Sequence, residues 1–177
     1  MASFGVILVA AGKSSRFVDT NYKKPFAPLA GRSVWLHAAE KFLDHPDVKQ
    51  VIIVIAPDDR EYFMDKFGPD LAFMGIKVAE GGKQRSDSVY NGFNKLNQDI
   101  DFVAIHDAAR PCLASRWIED VFATSIKTGA AILATPVVST LKRIDEHQCV
   151  AGTVDRNNLW EAQTPQVFSR TMLAEAF

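Results

Sequence analysis

An α/β fold, with a mostly parallel sheet between two layers of helices, is what three features of this sequence predict. Strand-like and helix-like segments alternate four times before Ser139. The strand segments are continuous β-branched and apolar runs, Val6 to Val9 and Val48 to Ile55 foremost, as expected of strands buried on both faces. Helical segments lie between them, and strands joined by helices pair in parallel. From Ser139 to Val154 the pattern changes: two strand-like arms, Thr140 to Ile144 and Val150 to Val154, flank a polar turn. With no helix between its arms, that stretch predicts a protruding β-hairpin.

The first strand, Val6 to Val9, opens into Ala10-Ala11-Gly12, small enough for a ligand to lie against the backbone. Lys13, Ser14, Ser15 and Arg16 follow, then Lys23 and Lys24. A buried strand, a small-residue turn and cations beyond it suit an anion, most simply a nucleotide's phosphates. Gly12-Lys13-Ser14 is not the end of a Walker A loop, because the glycine required five residues earlier is Ile7. The dinucleotide fingerprint needs three spaced glycines, and this turn has one.

Ser33 predicts the cap of a helix through about Leu43, with Val34, Ala38, Phe42 and Leu43 on one face. His37 and His45 lack spaced ligand partners and read as surface or packing residues. After the Val48 to Ile55 strand, a short helix is expected from Glu61 to Phe67, ended by Gly68-Pro69, then a strand at Ile76 to Val78. The polar loop Glu80 to Ser88 feeds a helix from about Ser86, a plausible cap, to Leu96. The fourth strand, Asp101 to Ile105, runs into His106-Asp107-Ala108-Ala109-Arg110-Pro111. Ser115 predicts the cap of the next helix, Gly129 its close, and Ala130 to Val138 the fifth strand. In parallel sheets ligands gather where the strands' carboxyl ends meet loops. Ala10 to Lys24, Gly81 to Ser88 and His106 to Arg110 all fall there.

For 177 residues, 47% of them hydrophobic, one domain with a real core is the natural count. The 20 basic and 21 acidic residues nearly cancel, so no global field draws nucleic acid or an acidic membrane. Cys112 and Cys149 are too few and too far apart for a disulfide framework or metal cluster. The chain opens MASFGVILV without a basic leader, and no apolar run approaches the ~18 residues of a membrane span. The expectation is a cytoplasmic protein with no nucleic-acid or membrane partner.

AAG-x-x-x-R-F followed by K-P-F resembles the turn of sugar-nucleotide and polyol-phosphate nucleotidyltransferases, with Ser14 where most members have a second glycine. GGKQRSDSV, HDAARP, STLKR and TVDRNNLWEAQTPQVF follow in order. Together they resemble the 2-C-methyl-D-erythritol 4-phosphate cytidylyltransferase family over essentially the whole chain. That resemblance implies a three-layer Rossmann-like nucleotidyltransferase fold. It also implies a reaction of the non-mevalonate isoprenoid pathway: methylerythritol phosphate attacks the α-phosphorus of CTP and expels pyrophosphate. Two polyanions meet, so catalysis is positioning and cationic stabilisation, and no protein nucleophile is required.

The resemblance also assigns roles. Arg16 matches the transition-state arginine and Lys24 the catalytic lysine, with Lys23 one position out of register. Ala10, Ala11 and Gly12 match the nucleotide turn; Gly81, Gly82, Lys83 and Ser88 match the loop that reads cytosine. Asp107 matches the Mg²⁺ ligand, while Ala108 and Arg110 match positions near the substrates. His106 reads as a packing or hydrogen-bonding residue. The hairpin resembles an arm that crosses to the second subunit of a homodimer, where Thr140 and the catalytic Arg156 reach the partner's methylerythritol phosphate. Thr164 matches another contact near that site, and Trp160 and Phe168 read as core.

Two other readings stay open. The acceptor could be another polyol phosphate such as ribitol 5-phosphate, or the chain could bind nucleotide without effective turnover. The second follows from the chain's end. Ser169 predicts a cap, and Arg170 to Phe177 begins a helix with Met172, Leu173 and Phe177 on its apolar side and no stop signal. The family carries a further segment, with a lysine that touches both substrates. The expectation is one domain over residues 1–177, its arm at about 139–156, cut short at the C-terminus.

Overall fold

The protein is described by a computed structural model over residues 2–12 and 22–177. The chain forms β1 (Phe4–Val9), a small ribbon of β2 (Pro28–Leu29) and β3 (Arg32–Ser33), and α1 (Val34–Leu43). Next come β4 (Val48–Ile55), α2 (Arg60–Met74), β5 (Lys77–Glu80), α3 (Arg85–Phe93), β6 (Phe102–Asp107) and α4 (Ser115–Thr128). β7 (Ala130–Pro136), β8 (Leu141–Ile144), β9 (Val150–Val154), β10 (Trp160–Ser169) and α5 (Arg170–Glu175) complete it. No helix among the described residues is long and apolar enough to cross a membrane.

The main sheet has the order β5-β4-β1-β6-β10-β7. β1 pairs in parallel with β4 and β6, and β4 with β5; β10 is antiparallel to both β6 and β7. β7 therefore runs with the others and β10 alone is reversed, which makes the sheet mostly parallel as expected. Both faces are buried. Phe4, Val6 and Leu8 of β1 and Val51, Ile53 and Ile55 of β4 pack with residues of α1, α2 and α4. Ile7, Ile52 and Val54, pointing the other way, pack with Val89 and Phe93 of α3 and Leu173 of α5. This two-sided packing is why those runs are continuously apolar. Strand order reverses at β1 and β6, and such a switch leaves a crevice at the strands' carboxyl ends.

β8 and β9 pair only with each other, as the predicted hairpin. Several boundaries differ from the sequence expectation. α2 does not stop at Gly68-Pro69 but continues to Met74, with Pro69 inside it and Gly75 at φ 65° closing it. Phe63, Phe67 and Leu71 of α2 are buried, so core packing outweighs the proline's lost N–H. α1 buries Trp35, Leu36, Ala38, Ala39 and Phe42, while Leu43 is exposed. Ser33 stands at the cap position of α1, yet its hydroxyl donates to the Phe26 carbonyl at 3.2 Å. Ala114, not Ser115, precedes α4, and Gln84, not Ser86, precedes α3, which ends at Phe93. The third strand is Lys77–Glu80 and the fifth stops at Pro136.

The largest correction is β10. Trp160 is 61% exposed and not core; Phe168 does pack against the α3 face. Pro165 hides this strand from the sequence, because proline inside a run argues against a strand with neighbours on both sides. The sheet accommodates it where β10's pairing with β7 breaks, between Ala162 and Gln166, with a cis Thr164–Pro165 peptide.

Candidate active site

Val9 and Asp107 are register partners at the carboxyl ends of β1 and β6. Ala10 N–H donates to the Val54 carbonyl at 2.7 Å and Ala108 N–H to the Val9 carbonyl at 3.1 Å, knitting three strand ends together. Ala10 and Ala108 are buried in this floor, Ala11 is half-buried and Gly12 is exposed above it. Gly81 joins them, its N–H donating to the Ile55 carbonyl at 2.7 Å. A Cβ on Gly81 would lie 2.4 Å from Ala11 Cβ, so only glycine lets this loop rest on the small-residue turn.

The rest of the loop folds around the start of α3. Gly82 N–H donates to Ser88 Oγ at 3.1 Å, Ser88 Oγ–H to the Gln84 carbonyl at 3.1 Å, and Gln84 N–H to Asp87 Oδ2 at 2.9 Å. The Ser88 hydroxyl is buried and holds the loop's shape, while Lys83 is exposed on it.

Asp107 is the centre of the site. Arg85 Nη1 lies 2.7 Å from its Oδ1 and Arg110 Nε 3.1 Å from its Oδ2, and the Asp107 side chain is 29% exposed. The Arg110 guanidinium also donates to Gln163 Oε1. Beneath this row runs a buried chain of bonds. Asp107 N–H donates to Thr164 Oγ1 at 3.2 Å, and Thr164 Oγ1 lies 3.1 Å from His106 Nδ1. His106 Nε2 is 3.0 Å from the Arg110 carbonyl, which can only accept, so Nε2 carries the proton and Nδ1 accepts from Thr164. Burial pushes the imidazole's pKa below its ordinary 6.5, so His106 is a neutral brace, as its sequence context suggested. A cavity of about 610 Å³ opens beside it, lined by Arg110, Cys112, Trp117, Leu133, Thr135 and Gln163 among others.

Two guanidinium groups on a partly exposed carboxylate at parallel strand ends have the chemistry to bind phosphate groups. The family model described as 2-C-methyl-D-erythritol 4-phosphate cytidylyltransferase matches residues 4–177. The chain belongs to this family. It is 37% identical to the chloroplastic member from Oryza sativa subsp. japonica, covering 99% of this chain and 58% of that one. To the Clostridioides difficile and Haemophilus influenzae (PittGG) members it is 33% and 38% identical, spanning 73% and 72% of their lengths. Among solved structures, a 4-diphosphocytidyl-2C-methyl-D-erythritol synthase superposes with a TM-score of 0.82 at 31% identity, covering 99% of this chain and 78% of that one. The Francisella tularensis cytidylyltransferase gives 0.77 at 30%, covering 99% and 76%. Members of the family are cytidylyltransferases, a kind of nucleotidyltransferase.

Within this cytidylyltransferase scaffold the predicted residues fall into four groups. Ala10, Ala11, Gly12, Gly81, Gly82, Lys83, Ser88, Asp107, Ala108 and Arg110 gather at and just beyond the carboxyl ends of β1, β4, β5 and β6. Thr140 and Arg156 stand apart at the base of the arm, where Arg156 Nη1 donates to the Val138 carbonyl. Lys24 begins the 3₁₀ turn Lys24–Phe26 on the rim, and Arg16 lies outside the described residues. Thr164 is only 7% exposed, and its hydroxyl is committed to Asp107 and His106, so it braces the site from below. Arg85 and Gln163 were missed. Arg85 is the first residue of α3, and the polar loop around it in the sequence gives no signal that sets it apart. Gln163 sits at the break in β10, where its Oε1 accepts from Arg110 and the neighbouring Thr164 hydroxyl meets β6, as bulges often re-aim side chains.

Proposed function

We propose that this chain transfers the cytidylyl group of CTP to 2-C-methyl-D-erythritol 4-phosphate, giving CDP-methylerythritol and pyrophosphate. A phosphate oxygen of the acceptor bonds the α-phosphorus as the bond to the β-phosphate's bridging oxygen breaks. The pairing of Asp107 with Arg85 and Arg110, beside the Ala10 to Gly12 turn, carries this reading. The Ala10 to Gly12 turn, Arg16 and Lys24 hold the triphosphate and take up charge shifting to the pyrophosphate. Gly81, Gly82, Lys83 and the Ser88-braced backbone face cytosine, with Ala108 in the floor. Arg110, held by Gln163, orients the acceptor phosphate.

Magnesium is part of this reading, and the donor chemistry fits it. Asp107 is a hard oxygen donor that is partly exposed, and Mg²⁺ commonly takes one or two carboxylates plus substrate phosphates. Among the described residues no group of three His, Cys, Asp or Glu side chains could hold a metal, so Asp107 would be the protein's contribution. Bound there, the ion would neutralise the phosphates, and Arg85 would give up Oδ1 to it.

The site is completed by a second copy of the chain in this reading. Val138, Ile144 and Val150 are 77%, 58% and 65% exposed on and beside a two-stranded arm, which is marginal unless packed. Thr140 and Arg156 would then serve the neighbour's acceptor. The setting is cytosolic, which suits two free, exposed cysteines.

Calorimetric titration with Mg²⁺ and each nucleoside triphosphate should show CTP bound selectively; equal affinity for all four would sink the cytosine assignment. Mixing Lys24→Ala with Arg156→Ala protein should restore part of the activity, since one hybrid site is intact. No recovery despite subunit exchange would place the whole site within one chain. A panel including ribitol 5-phosphate decides the acceptor.

A further inference from the structure

The cavity beside His106 has walls that suit carbon better than hydroxyl groups. Pro111, Leu113 and Leu133 line it, and so do His106 and Thr164, whose side chains are bonded to each other. Thr164 also accepts from Asp107 N–H, and His106 donates to the Arg110 carbonyl, so both are committed. A polyol phosphate entering this space sheds water from its hydroxyls and needs hydrogen bonds in return. Arg110 suits the phosphate. Thr135 lies exposed at the edge, which leaves Gln163 as a half-buried lining residue with a donor to offer.

The Gln163 amide has a defined orientation. A guanidinium carries only donors, so the bond from Arg110 Nη1 takes Gln163 Oε1 and leaves the amide Nε2 on the other side. Nε2 makes no hydrogen bond among the described residues. Arg110 is held in turn, its Nε 3.1 Å from Asp107 Oδ2. The backbone is fixed as well. Ala162 and Gln166 pair with Ala134 and Ile132 of β7, and Gln163 stands in the break between them, next to the buried and doubly bonded Thr164. A long, flexible side chain is thereby ordered before any ligand arrives, which lowers the entropy cost of binding.

We infer that Gln163 is a specificity-determining residue for the acceptor: its Oε1 holds Arg110 for the phosphate, and its Nε2 donates to an acceptor hydroxyl. The inference rests on the proposed placing of the acceptor beside Arg110. One linked pair of side chains then reads both the charged and the hydroxylated part of the molecule. A phosphate ester lacking that hydroxyl would strip water from the amide N–H groups and give nothing in its place, and so be rejected.

The test measures kcat/KM for methylerythritol phosphate and for analogues that each lack a single hydroxyl, with CTP affinity taken by calorimetry. In the parent, one analogue should fall about tenfold below the full acceptor, the scale of one hydrogen bond. Gln163→Met keeps the length and loses the donor. It should use that analogue and the full acceptor within about twofold of each other, because their coupling to the amide is gone. Its CTP affinity should match the parent's. A parent indifferent to every missing hydroxyl, or a Gln163→Met protein that still discriminates tenfold, would overturn the inference. So would an equal loss for all acceptors in Gln163→Met with discrimination intact, since Gln163 would then act only through Arg110. If Gln163→Met does not fold, Gln163→Glu decides by the same ratio. It keeps an oxygen for Arg110 without the donor, and its charge disfavours every phosphate alike. Arg110→Met should weaken use of the full acceptor; activity equal to the parent's would overturn the role of Arg110 itself. No turnover of methylerythritol phosphate by the parent would overturn the proposed function, and this inference with it.

Discussion

Two aspartates bracket the same strand and have opposite surroundings. Asp101 immediately precedes β6 and accepts from Ser3 N–H at 2.8 Å, with Ser3 Oγ 2.9 Å away. Its carbonyl also accepts from Arg170 N–H at 2.8 Å, so it fastens β1, β6 and α5 at their amino-end rim. Asp107 closes the strand with guanidinium groups of Arg85 and Arg110 on its two oxygens. Neutral donors from a neighbouring strand hold a carboxylate for the fold. Charged partners hold the partly exposed carboxylate at the other end, where the proposed reaction would use it. The parallel sheet explains the division, since its loops for ligands all lie at the carboxyl ends.

The sharpest way to break this comparison is to neutralise each aspartate in turn. Asp107→Asn should lower kcat by about a hundredfold or more, the scale of losing a charge-stabilising group at a reacting phosphate. Its melting temperature should stay near the parent's, because ion pairs this close to solvent add little to stability. Asp101→Asn should leave turnover unchanged and lower the melting temperature modestly. Equal kinetic damage from both would mean that Asp107 acts through the fold.

Thr164 sharpens the comparison from beneath. Thr164→Val keeps the shape but leaves Asp107 N–H without an acceptor and His106 Nδ1 without a donor. Each unsatisfied buried group costs about 1–3 kcal/mol, so denaturant unfolding should show a loss in that range or above. Thr164→Ser, which retains the hydroxyl, should recover most of it. A Thr164→Val protein as stable as the parent would remove the brace from the account.

The contrast between the aspartates was only half legible in the sequence. An aspartate ending an apolar run announces a strand's carboxyl end, and HDAARP made Asp107 a candidate. Nothing local marked Arg85 as its partner, because that contact joins segments on opposite sides of β1. Gly81 rests against Ala11, a contact between two loops that no local pattern in the sequence announces. β10 was invisible for a different reason: Pro165 signals a break, and the fold uses that break to aim Gln163 and Thr164 at the site. Helix α2 erred the other way, since tertiary contacts of Leu71 carry it past a proline that would end an isolated helix. Runs of buried residues are written in the sequence; contacts between loops arise only once strand order is set.

The smallest expected effect concerns Asp101 and acid. The hydrogen bond from Ser3 N–H, then that of its hydroxyl, holds the Asp101 carboxyl below its ordinary 3.8 in the folded chain. A carboxyl more acidic when folded stabilises the fold fully above its unfolded pKa and loses that contribution as pH falls through the folded value. The stability gap between the parent and Asp101→Asn should therefore be widest near neutrality and close as pH drops below about 3.8. Because Asp101 is exposed, water screens the interaction and the gap should be modest. Unfolding both proteins in urea at pH 7, 5 and 3 measures it. A gap independent of pH would mean that Asp101 holds β6 by shape alone, and the distinction between the two ends of the strand would rest on Asp107 only.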